Sequence, residues 1–217
     1  MAWFQLDPES IAARARTSGE SARPPTLGAS VLRGVLGFTV LSVAGFAPWV
    51  ISDLWFRGLG EIGLYVACAA VFIVLSGPLL HRLIIGPGSL LRFYKLFAPA
   101  FAAYAIVWVA CWMALRGDLG SIAGLLGGTA AMGLILALAF DAQRSVVKII
   151  AALFVLNTLG YYAGGWIEGK LAIDRRTAGM LLWGVCYGLG FGAGLGVSFH
   201  LCQARARAAM QAPLTAD

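Results

Sequence analysis

Charge is scarce in this chain. Only 12% of its 217 residues are Asp, Glu, Lys or Arg, and 60% are hydrophobic, for a mean hydropathy of +0.83. A soluble domain carries roughly 25% charged residues. So few charges cannot cover a water-facing surface, so lipid must solvate part of it. No Asp, Glu, Lys or Arg falls at the centre of any long apolar run, where proton relays and ion pathways place them, which argues against an ion-coupled pump. The four cysteines, Cys68, Cys111, Cys186 and Cys202, all lie inside apolar runs without CxxC spacing. That pattern excludes a disulfide framework and a metal site and leaves them as small packing residues. Catalytic motifs are missing too. There is no Gly-x-Ser-x-Gly, His-Glu-x-x-His, Walker A or Ser-x-x-Lys, and the run GLGFGAGLG meets Gly-x-Gly-x-x-Gly in no register. These absences argue against an enzyme; one acting on lipid at the cytosolic edge, near His81 and His200, ranks last. The net charge of +6 does not indicate nucleic acid, because the basic residues are spread between apolar segments, where membrane anchoring explains them.

What the chain does have is six apolar segments, near 31–52, 61–83, 97–115, 119–140, 146–167 and 179–202. Each is close to the ~20 residues a helix needs to cross a ~30 Å hydrocarbon core. Helices are the spanning structure that satisfies the backbone within each segment, and no period of two suggests a barrel. The expected fold is therefore an all-α integral membrane protein, a bundle of six transmembrane helices with short loops. The Gly86-Pro87-Gly88-Ser89 stretch reads as a turn, 90–98 as an interfacial stretch, and Pro99 as the point where the third helix enters the membrane. Arg116-Gly117-Asp118 reads as the turn between helices three and four.

Residues 1–30 form an arm with a short interfacial helix. Asp7 caps it, Pro8 takes its first position, and Met1, Trp3, Phe4 and Leu6 are placed to dip into the interface. Ser18 to Pro25 is a linker, residues 203–217 are a tail, and no cleavable leader is expected. Eleven of the sixteen Lys and Arg residues fall on the side of the N-terminus, which puts both termini in the cytoplasm. In a bacterium the membrane would be the plasma (inner) membrane.

Glycine is abundant, with 28 residues. The sixth segment carries Gly184, Gly188, Gly192 and Gly196 at every fourth position, with Gly190 and Gly194 on roughly the opposite side. The fourth has Gly120, Gly124 and Gly128 on one face. Such faces let helix backbones approach closely. They predict a central sixth helix and a direct contact between helices four and six. They also offer surfaces to partner chains, in a homo-oligomer or as a non-catalytic subunit of a larger membrane complex.

Aromatic and polar residues gather in the outer half. Asn157, the only asparagine, shares one helical face with Tyr161, Gly164 and Glu168; Glu61, Tyr65 and Cys68 share another; Trp108 and Trp112, and Trp183 and Tyr187, lie at the same depth. Six of the seven tryptophans (Trp49, Trp55, Trp108, Trp112, Trp166, Trp183) are on that side, whereas an aromatic belt normally marks both interfaces. These residues read either as a belt with core packing or as an aromatic-lined cavity open to the outside, with Asn157, Tyr65, Tyr161, Glu61 and Glu168 as polar groups and Trp108 and Trp112 in its wall, suited to a cationic or aromatic solute. The chain would bind or transport that solute. His81 and His200, at similar depth near the opposite face, read as interfacial histidines reaching headgroups or water, or else as paired axial ligands of a haem or a single ligand of a chlorin magnesium; nothing else in the sequence calls for a cofactor.

Overall fold

The structure is a computed structural model that describes residues 4–17, 24–50, 58, 60–171 and 176–211. Met1, Trp3, Trp55, linker residues 18–23 and tail residues 212–217, all named in the sequence reading, lie outside the described residues. Those described fold into eight α-helices: α1 (Pro8–Thr17), α2 (Leu27–Val50), α3 (Gly60–Leu80), α4 (Ser89–Leu115), α5 (Gly117–Ala139), α6 (Val146–Leu171), α7 (Arg176–Cys202) and α8 (Ala204–Gln211). Short 3-10 turns, His81–Leu83 and Gln143–Ser145, follow α3 and precede α6. Helices α2 to α7 are the six long apolar ones, and the chain is a multi-pass helical membrane protein.

Local signals explain the helix starts. The Ser10 N–H donates to Asp7 Oδ1 at 2.9 Å, so Asp7 caps α1 with Pro8 at its first position. Thr26 does the same for α2, accepting from the Ala29 N–H at 3.2 Å. Gly86 and Gly88 take positive φ (+89° and +66°), which makes the sharp turn into α4. Between α4 and α5 the turn is a single residue, Arg116 (φ +53°).

One boundary needs correcting. Residues 90–98 are not a separate interfacial stretch: α4 runs unbroken for 27 residues, with Pro99 inside it. At ~1.5 Å per residue that is about 40 Å, longer than the hydrocarbon core. Proline removes one backbone hydrogen bond, but neighbouring helices can hold such a helix together. Here Phe93, Phe97 and Phe101 stack along one buried face on both sides of Pro99, with centroids 5.0 and 5.4 Å apart.

The six long helices form a ring in chain order, with α7 closing onto α2; the α2–α7 and α6–α7 seams are the most extensive and α3–α4 the slightest. Aromatic rings fill the axis. Phe38, Phe72, Phe101, Phe191 and Tyr187 pack in the middle, and Phe93, Phe97, Phe140 and Phe199 lie towards the end that holds α1 and α8. The outward faces are apolar: Leu32, Leu36 and Val40 on α2 are 58%, 61% and 59% exposed at every fourth position, as a lipid-facing stripe requires.

Glycine sets the tight seams. Gly34 of α2 and Gly192 of α7 press backbone on backbone, as do Gly160 of α6 and Gly190 of α7. Gly188 and Gly196 meet Thr39 and Ser30 on α2, while Gly194 meets Leu153 on α6. The two glycine faces of α7 are thus used on two neighbours, and its third side buries Phe191, Leu195 and Phe199. The glycine face of α5 departs from expectation. It turns to α4, where Gly120, Gly124 and Gly128 receive Trp112, Trp108 and Tyr104; α5 touches α7 only slightly. Hairpin partners joined by one residue lie side by side, and the bulky α4 ridge fits the smooth face that α5 offers.

At one end of the ring α1 packs on α8, with Leu6, Ile11 and Ala206 fully buried and Arg16 Nη2 donating to the Ala209 carbonyl at 3.1 Å. Gln203 ties this end together. Its side chain donates to the Leu83 and Phe199 carbonyls (2.8 and 3.0 Å) and accepts from the Ile85 N–H (2.9 Å).

Candidate functional site

At the opposite end the ring encloses a cavity of about 380 Å³. It exists because the small residues Gly45, Cys68, Ala69 and Ala105 face inward beside large rings rather than filling the space. Five of the six long helices line it: α2 through Phe46 and Trp49, α3 through Tyr65 and Phe72, α4 through Phe101, Tyr104, Trp108 and Trp112, α6 through Tyr161, and α7 through Met180, Trp183 and Tyr187. Glycines seat several of these groups. Gly45 makes room for the Phe72 ring, Gly124 and Gly128 for Trp108 and Tyr104, and Gly164 for Trp183. The glycine-rich faces and the aromatic wall are therefore two sides of the same packing.

The wall rings touch mostly edge to face. Tyr65 meets Trp49 and Trp108 with centroids at 5.4 and 6.0 Å, Tyr161 meets Trp108 and Trp183 at 6.2 and 5.4 Å, and Trp108 stacks on Trp112 at 5.9 Å. Aromatic pairs prefer these geometries, and they hold the wall in shape. The floor is Phe72, Phe101, Tyr104 and Tyr187. The Tyr104 and Tyr187 hydroxyls are 3.1 Å apart, and Asn157 Nδ2 donates to Tyr104 at 3.0 Å. Tyr161 shares a hydrogen bond with Ser121 of α5 at 3.2 Å.

At the mouth, Glu61 Oε1 accepts from Tyr65, from Trp112 Nε1 and from Arg116 Nη1, each at 3.3 Å. Arg116 also lies over the Trp112 ring, 5.9 Å from its centroid. This cluster bridges α3 and the end of α4 across the slightest seam of the ring.

The sequence-predicted residues distribute as follows. Tyr65, Trp108, Trp112 and Tyr161 line the cavity together. Glu61 sits at its mouth through Tyr65 and Trp112. Asn157, fully buried, lies behind the floor and acts on it through Tyr104. Glu168 is not in the lining; it packs against Gly179. Trp166 is 68% exposed, with Lys170 Nζ 5.8 Å from its ring centroid, as suits a belt residue. Sequence reasoning missed Tyr104, Phe72, Phe101, Phe46 and Met180. Tyr104 was within reach, since Tyr104, Trp108 and Trp112 follow at four-residue intervals. Phe72 and Phe101 carry no such signal, because any phenylalanine in a greasy helix reads equally well as lipid-facing.

His81 Nδ1 is hydrogen-bonded to Ser89 at 2.8 Å, and His200 has its Nδ1 buried without a partner. Among the described residues no three His, Cys, Asp or Glu side chains gather as metal ligands, and the four cysteines are free. Compared with protein-family models, curated proteins and solved structures, the chain matches none.

Proposed function

We propose that this membrane protein binds a small, flat, apolar solute, aromatic in character, in the cavity between its helices, and that it carries or passes that solute across the membrane. One observation supports the reading above the others: a cavity of about 380 Å³ walled by four tryptophans and four tyrosines, beside α2–α7 and α6–α7 seams packed to glycine-glycine contact. Ligand sites are concave, mostly apolar and of roughly 300–1,000 Å³. Of the two solute classes the aromatic wall suits, cationic and aromatic, the second is favoured. The carboxylate at the mouth, Glu61, is already paired with Arg116, and Glu168 is not in the wall.

The end carrying α1 and α8 is taken as cytoplasmic. Arg14, Arg16, Arg82, Lys95, Arg144, Lys148, Arg205 and Arg207 gather there, so the cavity would open to the outside. The test is saturable quenching of tryptophan fluorescence by aromatic solutes in lipid nanodiscs, together with ligand-dependent thermal stabilisation. Solutes that bind should raise the melting temperature of the wild type and not of Trp108→Ala. Identical responses in the two proteins would remove the reading.

A further inference from the structure

We infer that the solute enters the cavity sideways from the hydrocarbon of the membrane, through a window between α3 and α4, and is therefore a free aromatic molecule dissolved in the lipid. The inference rests on the cavity being a solute site and adds the source of the solute and its route.

The two helices meet in one half of the membrane and part in the other. Towards the α1 and α8 end, Gly77 of α3 receives the Tyr94 ring, and the Tyr94 hydroxyl donates to the Val74 carbonyl. Val66 and Ala70 lie within about 20° of Gly77 around the axis of α3. Were α3 to stay against α4, that face would remain covered. Instead Val66 is 63% exposed, and Ala70 is exposed as well. The seam has therefore opened at the level of the cavity. Helix α4 shows the other edge. Ala105 lies within about 20° of both Tyr94 and Trp112 around its axis, so it faces this seam. With Val109, one turn nearer the mouth, and Ala69 of α3, it also lines the cavity. The next residue, Ile106, is 68% exposed to lipid. On both helices the cavity wall and the lipid face are thus adjacent.

Long side chains bridge the gap at its top, where Tyr65 meets Trp108 and Glu61 reaches Trp112 and Arg116. The Phe72 and Phe101 rings close it below, with centroids 5.1 Å apart. Between these struts the rim is made of the short side chains of Ala69, Ala105 and Val109. The other seams beside the cavity are closed by glycine: Gly45 takes Phe72, Gly124 takes Trp108, Gly164 takes Trp183, and Gly188 meets α2.

Depth and chemistry point the same way. Ala105 and Val109 lie about 15 and 9 Å below Leu115, the end of α4 at the mouth. With a ~30 Å core centred on this ~40 Å helix, both face hydrocarbon. The three rim side chains carry no polar group. A flat apolar molecule already concentrated in lipid can pass such a rim without shedding a hydration shell, whereas an ion or a sugar is kept out of the hydrocarbon by its own desolvation.

The experiment uses the full chain in liposomes that contain a phosphatidylcholine with an aryl diazirine on its acyl chain. The headgroup holds the aryl group in the bilayer, so it can reach the cavity only through a seam. Photolysis and peptide mass spectrometry should place adducts on Tyr104 and Tyr187, which are buried in the cavity wall. Excess 2-ethylnaphthalene should suppress these adducts and spare those on lipid-facing Leu36. Stopped-flow tryptophan quenching by 2-ethylnaphthalene gives a second reading. The pair Val66→Phe and Ile106→Phe sets rings over the window from outside the lining, so association and dissociation should both slow about fivefold or more, with Kd changed by under about twofold. Val155→Phe, on the lipid face of α6, should change neither rate. Adducts confined to lipid-facing positions, or rates unchanged in the double variant, overturn the lateral route and leave the solute site standing. If 2-ethylnaphthalene does not bind saturably to the wild type, the solute site falls and the inference with it.

Discussion

Replacing Gly190 with alanine puts a methyl group into the α6–α7 seam with nowhere to go. The new Cβ would lie 2.8 Å from Gly160 Cα and 2.9 Å from its nitrogen, with the Leu156 carbonyl oxygen closer still. All three are backbone atoms, so no side chain can rotate away. Ordinary contact begins near 3.4 Å, so the two helices must part by about 1 Å to clear the Leu156 oxygen, along a seam that also seats Trp183 on Gly164. Overpacking costs about 1–3 kcal/mol, and this site belongs at the upper end; alanine returns up to ~1 kcal/mol through helix preference. The net loss of about 2 kcal/mol corresponds to a melting temperature about 4–8 °C lower for a chain of this size. Gly169→Ala is the control. It lies in the same helix α6 with nothing within 4 Å of its Cβ position, so it should raise the melting temperature by about 1–4 °C. Scanning fluorimetry in detergent reads both. If Gly190→Ala melts at or above the wild type, close backbone contact is not what holds α7 in place.

Four further outcomes are expected. Gln203→Leu leaves the buried Ile85 N–H and Leu83 carbonyl without their side-chain partner and should cost about 2–4 kcal/mol in chemical denaturation; a change below about 0.5 kcal/mol would show that Gln203 does not tie this end of the ring together. Glu61→Gln removes an exposed ion pair that bridges α3 and α4 at the cavity mouth, so stability should change by under about 1 kcal/mol while solute association quickens through a loosened mouth; stopped-flow quenching unchanged from wild type would show that this bridge does not limit entry. Asp7→Ala should cost about 1 kcal/mol through loss of the α1 cap, read by amide hydrogen exchange in α1. Burial works to raise the Asp7 pKa, but hydrogen bonds from Ser10 outweigh it and hold the carboxyl below the ordinary aspartate value; the cap is therefore fully present above about pH 4 and is lost as pH falls through the lowered pKa, so α1 protection should fade only on that acid side. Finally, single cysteines at Gly117 and Gln211 in a cysteine-free background should label from opposite faces of sealed vesicles with a membrane-impermeant maleimide; labelling from one face would overturn the assigned topology.

The long apolar runs determined the class of fold and the positions of six helices, because hydrophobic length against a bilayer is a local property of the chain. Asp7-Pro8 and Gly86-Pro87-Gly88 likewise carried their cap and turn in their own residues. The Tyr65, Trp108, Trp112 and Tyr161 cluster was legible because equal depth and helical spacing bring such residues to one level of a bundle. Tertiary structure alone decided which way each helix turns. Apolar side chains satisfy lipid and protein core alike, so periodicity could not say that the α5 glycines face Trp108 and Tyr104 rather than α7, or that Glu168 leaves the wall. Nor could it say that α4 continues through Pro99, since the Phe93–Phe97–Phe101 stack that carries it is anchored by Phe199, a residue of a distant helix. Depth along the bilayer is written in each segment, whereas rotation about a helix axis is fixed only when the ring closes and small residues meet large ones.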